Sequence, residues 1–278
     1  MKHTGTTSLL LLCFIVAAAL AGCSDAESET RSTAPSAVEH RPVQFRADDG
    51  STIIGRLWTN GNVAVILAHG FSEVTAQDDW LPFAPALAQE GYTVLTFNFR
   101  GFCDSKGCSG DTIEAGNNWR DMLAAVDFME ARGAQEIFLI GASMGGLAVL
   151  RAARTPGVDL AGVISLSTPQ FPSRYYVGET PANDLTPSRL AQIDEPKLFV
   201  AGEHDVQLPG TAPLRFGVSS VAFARDAERM FEAAKDPKEL ALVDSRVHSS
   251  GLVTAAPEET VEETRALIYR FLEANTTG

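Results

Sequence analysis

After its first forty residues, the chain alternates between two kinds of apolar pattern. Continuous apolar runs such as Val63–Ala68 are typical of central strands that are buried on both faces. Segments such as residues 117–132 place apolar residues at helical spacing, and this one ends at Gly133. Strands that alternate with helices predict an α/β fold with a mostly parallel, doubly wound sheet.

An N-terminal hairpin precedes this alternation, because Asp48, Asp49 and Gly50 form a turn signal between two short apolar stretches. Strands are predicted over residues 43–46, 52–58, 63–68, 92–97, 137–140, 158–166, 197–201 and 239–243. Helices are predicted over residues 80–90, 117–132, 147–153, 221–234 and 258–274.

One junction between a predicted strand and a predicted helix carries a chemical motif. The strand over residues 137–140 runs into a G-x-S-x-G pattern over residues 141–145, and a helical segment follows. The glycines on either side keep side chains out of a sharp turn, so Ser143 is predicted to stand at its apex as a nucleophile. Without these flanking elements, the same five residues would indicate only a glycine-rich turn.

A serine hydroxyl is a poor nucleophile near pH 7 and needs a general base. The chain has five histidines, of which His3 and His40 precede the predicted domain. His248 lies in the loop after the last predicted strand, where it can reach over the carboxyl ends of the strands. We therefore predict His248 as the base. His204 is interpreted as a residue at the rim of the pocket, and His69 as a support for its own loop.

The base needs an acid to orient it, and two carboxylates compete for this role. Asp205 and Glu203 both follow the predicted strand that ends near Gly202. Asp205 is preferred, and Glu203 is the rival.

Two backbone N–H groups are needed to bind an oxyanion. Met144, directly after the nucleophile, supplies one, and Phe71, in the loop after the strand Val63–Ala68, is the candidate for the other. Gly70 allows the backbone to approach closely. No group of histidine and carboxylate residues has metal-ligand spacing in the sequence, so no metal or other cofactor is expected.

Together these motifs resemble the serine α/β-hydrolases of the esterase and dienelactone-hydrolase type, over most of residues 43–274. Ser143, Asp205 and His248 follow one another in the order found in that family. Residues 98–105 resemble the family's D-x-R-G-x-G-x-S segment, with departures at Asn98 and Cys103. The resemblance implies an α/β-hydrolase fold with a small cap over about residues 169–196. It also implies cleavage of a carboxylic ester or related acyl bond through an acyl-enzyme.

The cap is short and contains Phe171, Tyr175 and Tyr176, which favours small acyl substrates over long-chain lipids. Thioesterases and peptidases occur in the same family, so these activities are alternatives. A different class of function, a lipoprotein that uses the hydrolase scaffold only to bind a ligand, is the further alternative.

Cys103 and Cys108 are separated by four residues in a chain that is expected to be exported, which predicts a disulfide. Zinc is disfavoured because only two cysteines are available and no pair of histidines accompanies them.

The first 22 residues combine Lys2 with an apolar core, as in a secretory signal peptide. The residues that end at Cys23 resemble the lipobox of bacterial lipoproteins, so Cys23 is predicted to be lipidated. Residues 23–40 are polar and predict a flexible tether, and residues 41–278 form one α/β-hydrolase domain. We therefore expect an exported protein that a lipid anchors to the bacterial cell envelope.

The formal net charge is −13, and removal of residues 1–22, which contain one base and no acid, brings it to −14. Such an acidic protein is not expected to bind nucleic acid. Its expected partners are a small acyl substrate and the membrane that holds the lipid, and its oligomeric state is left open.

Overall fold

The computed structural model describes residues 38–71, 76–110, 116–209 and 214–277. These residues belong to one compact unit, Ala37–Gly278. The predicted signal peptide, Cys23 and the tether up to residue 37 lie outside the described residues. The predicted end of the tether is wrong by one residue, because the first strand begins at His40. The His40 ring packs edge-on against Trp58 at 4.9 Å, which holds this residue in the strand.

Eight strands form the central sheet, in the order β1-β2-β4-β3-β5-β6-β7-β8. They are β1 (His40–Arg46), β2 (Thr52–Trp58), β3 (Val63–Ala68), β4 (Thr93–Phe97), β5 (Glu136–Ala142), β6 (Gly162–Leu166), β7 (Lys197–Gly202) and β8 (Lys238–Val243). β1 pairs antiparallel with β2, and β2 pairs antiparallel with β4. The remaining neighbours are parallel, as predicted.

Helices connect the parallel strands. They are α1 (Ala84–Gln89), α2 (Asn118–Glu130), α3 (Met144–Ala152), α4 (Pro172–Tyr175), α5 (Pro187–Leu190), α6 (Phe223–Ala233), α7 (Gly251–Thr254) and α8 (Glu258–Asn275). A 3-10 helix spans Ala76–Trp80. Two short strand pairs join Cys103–Asp104 to Gly107–Cys108 and Val206–Gln207 to Val221–Ala222.

Several predicted boundaries are wrong, for local reasons. The helix predicted over residues 80–90 starts only at Ala84, because Pro85 lacks a backbone N–H and is tolerated in the first turn of α1 but not inside a longer helix. Its predicted stop is confirmed, since Gly91 has a φ of 98° directly after the helix. Helix α6 begins two residues later than the helix predicted over residues 221–234, because Val221 and Ala222 pair with another strand.

Alternate side chains of the central strands enter two separate cores. Along β3, Ala64, Ile66 and Ala68 pack in a core that includes residues of α2, α3 and α6. Val65 and Leu67 pack on the other face, with residues of α1 and α8. Both faces of the sheet are therefore covered, which explains why its central strands are continuous apolar runs.

The parallel strands place their carboxyl ends at one edge of the sheet, where open α/β sheets bind ligands. Phe71 follows β3, Ser143 follows β5, Asp205 follows β7 and His248 follows β8. Within the described residues, no helix combines the length and the apolar character needed to cross a bilayer.

Candidate active site

Ser143 occupies a strained turn between β5 and α3. Its φ is 51° and its ψ is −108°, a conformation that residues with a Cβ rarely adopt. Its backbone N–H donates to the Leu166 carbonyl at 2.8 Å, which ties the turn to the end of β6. The strain lifts the half-exposed serine out of the end of the sheet, as predicted from the motif.

The glycines of the motif allow three backbone segments to meet at this turn. A Cβ at Gly141 would lie 2.3 Å from the Gly145 carbonyl oxygen. A Cβ at Gly145 would lie 2.2 Å from the Ala68 carbonyl oxygen. α3 therefore packs directly on the ends of β3 and β5, and any side chain at these two positions would push it away.

Asp205 and His248 are in direct contact. The distance between His248 Nδ1 and Asp205 Oδ2 is 2.8 Å, and Asp205 is 3% exposed while His248 remains half-buried. The rival carboxylate, Glu203, is exposed to solvent. Of the two candidate acids, only Asp205 forms a hydrogen bond with the predicted base.

Backbone hydrogen bonds join the loops that carry these two residues. The N–H groups of Glu203 and His204 donate to the carbonyls of Val243 and Ser245 at 2.8 and 3.0 Å. Gly202 allows this approach, because a Cβ there would lie 2.6 Å from the Ser245 carbonyl oxygen. A glycine is therefore needed at residue 202 so that the loops of Asp205 and His248 can pack together.

Gly70 is the point at which the nucleophile loop, the base loop and the loop after β3 converge. A Cβ at Gly70 would lie 2.9 Å from Ser249 Oγ and 3.6 Å from Ser143 Cβ. Ser249 directly follows His248 in the chain. Met144 is the first residue of α3, so its N–H lies at the positive end of the helix dipole. Phe71 directly follows Gly70.

His69 supports this loop and is fully buried. Its Nε2 accepts the Phe99 N–H at 3.0 Å, so Nδ1 carries the proton and donates to the Gly70 carbonyl at 2.6 Å. Burial lowers the pKa of the His69 ring to about 4, which keeps it neutral. The buried ring of Phe102 packs against both His69 and the exposed ring of Phe71, at 5.1 and 5.5 Å. The predicted supporting role of His69 is confirmed.

Comparison with known proteins agrees with this fold. Residues 60–193 match the family model described as serine aminopeptidase, S33. The structure of the esterase Pf2001 from Pyrococcus furiosus superposes with a TM-score of 0.65 at 19% sequence identity. The superposition covers 85% of this chain and 93% of the esterase.

The chain has the α/β-hydrolase fold.

Two Escherichia coli proteins are similar in sequence to this chain. YfhR of strain K12 is 27% identical over 222 residues, which cover 74% of this chain and 72% of YfhR. A 31.7 kDa protein encoded in the traX-finO intergenic region is 34% identical over 93 residues. The chain spans about a third of the length of this second relative, 32% by residue count.

The two departures from the α/β-hydrolase pattern in the segment after β4 have structural reasons in this chain. Asn98 accepts the Gln77 N–H at 3.1 Å and donates to the Gly107 carbonyl at 3.2 Å, and an aspartate could not make the second bond. Cys103 forms the predicted disulfide with Cys108 and closes a two-stranded turn.

The segment over residues 169–196 is held to the rest of the domain by a buried carboxylate. Asp226 of α6 accepts the Gln170 N–H at 3.0 Å and the Tyr175 hydroxyl at 3.1 Å. Burial, followed by the charge of Asp226, raises the pKa of Tyr175 to about 12. Tyr176 donates to Gln207 at 2.6 Å, next to the loop of Asp205. Both tyrosines thus anchor the cap.

Sequence reasoning missed one residue that contacts the base. The ring of Phe223, at the start of α6, packs against the His248 ring with centroids 4.2 Å apart. The Phe223 N–H also donates to the Asp205 carbonyl at 3.1 Å. No local signal marks Phe223 in the sequence, because its helical spacing indicates only a core position.

Sequence spacing also did not reveal one group of possible metal ligands. Glu203, His204 and Asp244 bring their ligand atoms within 4.8 Å of one another in the described part of the chain. All three are exposed, a setting in which acidic groups are common without an ion. Asp244 is far from the other two in sequence and is brought beside them by the pairing of β7 with β8.

Proposed function

We propose that this α/β-hydrolase is a serine hydrolase that cleaves a carboxylic ester through an acyl-enzyme. The observation that carries the proposal is the 2.8 Å contact between His248 Nδ1 and Asp205 Oδ2, in a loop that meets the Ser143 turn at Gly70. Nucleophilic acyl transfer requires a serine and a base that a carboxylate orients, and these loops supply both at one end of the sheet.

In the first half of the reaction, His248 donates its Nδ1 proton in the hydrogen bond to Asp205, which leaves Nε2 free to accept the Ser143 proton. Ser143 Oγ attacks the ester carbonyl carbon, and the π electrons of the carbonyl bond move to the carbonyl oxygen. The N–H groups of Met144 and Phe71 bind this oxyanion. His248 then returns the proton to the departing alcohol, and an acyl-Ser143 ester remains.

In the second half, a water molecule takes the place of the alcohol. His248 accepts a proton from the water, and the hydroxide attacks the acyl carbonyl. The oxyanion is bound by the same two N–H groups. Collapse of this intermediate releases the carboxylic acid, and His248 returns its proton to Ser143 Oγ.

An ester is preferred as the substrate on two grounds. The Pyrococcus furiosus protein with the similar fold is itself described as an esterase. The cap consists of two four-residue helices, which suit a small acyl substrate better than a long-chain lipid. Peptide hydrolysis is the second candidate, because the matching family model is described as a serine aminopeptidase. Thioesters need the same machinery.

The test combines covalent labelling with turnover of p-nitrophenyl esters, thioesters and aminoacyl amides. Ser143→Ala is expected to abolish labelling by a fluorophosphonate and to lower ester turnover by roughly 10⁶-fold. Ser249→Ala is the matched control, since this serine borders the same glycine, and it should still be labelled. Labelling of the Ser143 variant, or equal turnover by it, would refute the serine mechanism. An absence of labelling in the wild-type protein would favour a binding role.

We further propose that the enzyme is exported and held at the bacterial envelope by a lipid on Cys23. The support is the lipobox-like sequence that ends at Cys23 and the polar tether that follows it.

A further inference from the structure

A narrow cleft opens beside Met144, whose N–H is one of the two proposed oxyanion donors. One wall is a stripe of α3 that runs from Met144 through Leu147 to Arg151, residues that lie on one face of a helix. Trp119 of α2 and Asn183 of the cap contribute to the opposite walls. The cleft therefore begins at the residue whose N–H is proposed to bind the oxyanion.

The dimensions of α3 fix how far the cleft reaches. Arg151 follows Met144 by seven positions, which corresponds to about 10 Å along the helix axis. A substrate group at the far end would thus be joined to the reacting carbonyl by a short chain. Leu147, between the two ends, presents an apolar surface to such a chain.

The far end of the cleft is polar. Arg151 Nη1 donates to the Gly116 carbonyl at 2.9 Å and to Asn183 Oδ1 at 3.0 Å. The guanidinium lies over the Trp119 ring at 4.5 Å. In the described part of the chain, Trp119 Nε1 and Asn118 Oδ1 are buried without a hydrogen-bond partner, and both residues line the cleft. Asn118 is 93% buried, since its exposed fraction is 7%.

Positive charge accumulates at this end, although the protein as a whole is acidic. Burial, and then the charges of Arg154, Arg189 and Arg120, lower the pKa of Arg151. Arg120 forms an ion pair with Asp48. Among the described residues, neither Arg151 nor Arg154 forms an ion pair with a carboxylate. An anionic ligand group would supply the missing counter-charge.

We propose that this cleft binds a carboxylate in the acyl part of the substrate, through the guanidinium of Arg151 and the indole N–H of Trp119. The enzyme would then hydrolyse monoesters of dicarboxylic acids in preference to neutral esters of the same length. This inference rests on the proposed function and names its substrate class.

The position of the cleft assigns the carboxylate to the acyl part of the ester. The departing alcohol takes its proton from His248 and therefore leaves on the side of that residue. The loops of Asp205 and His248 contribute no residue to the cleft lining, which comes from α2, α3 and the cap. The acyl chain is the substituent that points away from the base.

One carboxylate, Glu179, also lines the cleft and favours the opposite ligand charge. It accepts a hydrogen bond from Asn183 Nδ2 at 2.6 Å. A substrate with an ammonium group would use Glu179 in place of Arg151. We favour the carboxylate because the charges of three further arginines act on Arg151 at this end of the cleft, and the ammonium is an outcome of the test.

The experiment compares three p-nitrophenyl esters of equal acyl length, about six methylene groups, to match the span of α3. Their acyl chains end in a carboxylate, a carboxamide or an ammonium group. We expect kcat/KM for the carboxylate ester to exceed that for the carboxamide ester by roughly 10- to 100-fold, as for a charge-assisted hydrogen bond.

Variants show which residues cause the preference. The quantity compared is kcat/KM for the carboxylate ester divided by kcat/KM for the carboxamide ester, so a general loss of activity cancels. Arg151→Met should bring the ratio near one. Trp119→Phe keeps the ring but removes the N–H, and should lower the ratio several-fold, even if the Arg151 variant does not fold. Arg132→Met is the matched control, because Arg132 also stacks on an aromatic ring, that of Phe128, but does not line the cleft. Its ratio should equal that of the wild-type enzyme.

Failure of this inference and failure of the proposed function give different results. Hydrolysis without a preference for the carboxylate, or with a preference for the ammonium, would overturn this inference and leave the proposed function standing. An unchanged ratio in both the Arg151 and the Trp119 variants would also overturn it. Absence of hydrolysis for all three esters, together with absence of fluorophosphonate labelling, would reject the proposed function and this inference with it.

Discussion

The contact between His248 and Asp205 allows the two candidate acids to be compared by substitution. Asparagine at residue 205 keeps the size of the side chain but can donate into the imidazole and favour the wrong tautomer. The expected loss of turnover is roughly 10⁴-fold. Glu203 is exposed and has no contact with His248 among the described hydrogen bonds, so Glu203→Gln should cost little. Ester turnover, with folding monitored by circular dichroism, checks both variants.

The reverse ranking of these two variants would move the acid to Glu203 and leave the roles of Ser143 and His248 unchanged. Equal and small losses would argue against any orienting carboxylate. His204→Gln is a useful control, since this exposed residue lies between the two acids.

His69 predicts a dependence of stability on pH. Its pKa is about 4 in the folded protein, against an ordinary value of 6.5. Above pH 6.5 neither state holds the extra proton. As the pH falls below 6.5, only the unfolded chain takes it up, so the folded state loses stability until about pH 4. From pH 7 to pH 5 this loss amounts to about 2 kcal/mol.

The measurement is urea unfolding at pH 7 and pH 5 for the wild-type protein and for His69→Gln. The variant should be less stable at pH 7, but its free energy of unfolding should fall by about 2 kcal/mol less between the two pH values. Equal pH dependences would show that His69 does not titrate in this range.

At the scale of single residues, the sequence indicates position best where a chemical motif coincides with the end of a strand. Ser143, Asp205 and His248 each follow a strand directly or by a short loop, so the topology places them at one edge of the sheet. Phe223 and the cleft at Arg151 were not found. Their roles depend on contacts between elements that are distant in sequence, and side-chain pattern alone does not reveal such contacts.

At the scale of elements, the approach of α3 to the sheet leads to a prediction for two neighbouring glycines. A Cβ at Gly145 would meet backbone atoms of Ala68 and His69, which cannot move without displacing β3. A Cβ at Gly146 would instead meet the Thr168 hydroxyl at 1.7 Å. Gly145→Ala should therefore lower the free energy of unfolding by about 3 kcal/mol and abolish turnover, because α3 carries the Met144 N–H.

The two glycines differ in whether a second change can help. Thr168→Ala should restore part of the stability lost in Gly146→Ala, because it removes the atom that clashes. The same change should not help Gly145→Ala, whose clash is with backbone. Thermal unfolding of the two single and two double variants tests this difference. Equal rescue of both glycine variants would contradict the packing described here.

The boundaries of elements were predicted less well than their existence. Every main strand of the sheet was anticipated, because each is a short apolar run between turn signals. Pro85 shortened a helix that periodicity alone had extended, and Val221 joined a strand pair that no local pattern marks. The short helices of the cap were not predicted, since they are held by contacts such as that between Tyr175 and Asp226.

At the scale of the whole molecule, the boundary between tether and domain can be placed by truncation. β1 contributes the buried side chains of Val43 and Phe45, and the Phe45 ring packs against Phe97 and Phe128 at 5.9 and 4.8 Å. A chain that starts at residue 38 should therefore keep the wild-type melting temperature and kcat/KM. A chain that starts at residue 47 lacks both apolar anchors and should lose several kcal/mol of stability.

Substitution of Cys23 tests whether the tether acts in anchoring alone or also in catalysis. If residues 23–37 serve only as a tether to a lipid on Cys23, Cys23→Ser should move the full-length protein from the membrane fraction to the soluble fraction without changing kcat/KM. Mass spectrometry of the wild-type protein should find a lipidated N-terminal Cys23. An unmodified N-terminus elsewhere would reject the anchor but not the enzyme, because every proposed catalytic residue lies beyond β1. A fall in kcat/KM on removal of the tether would instead show that these residues contribute to the active site.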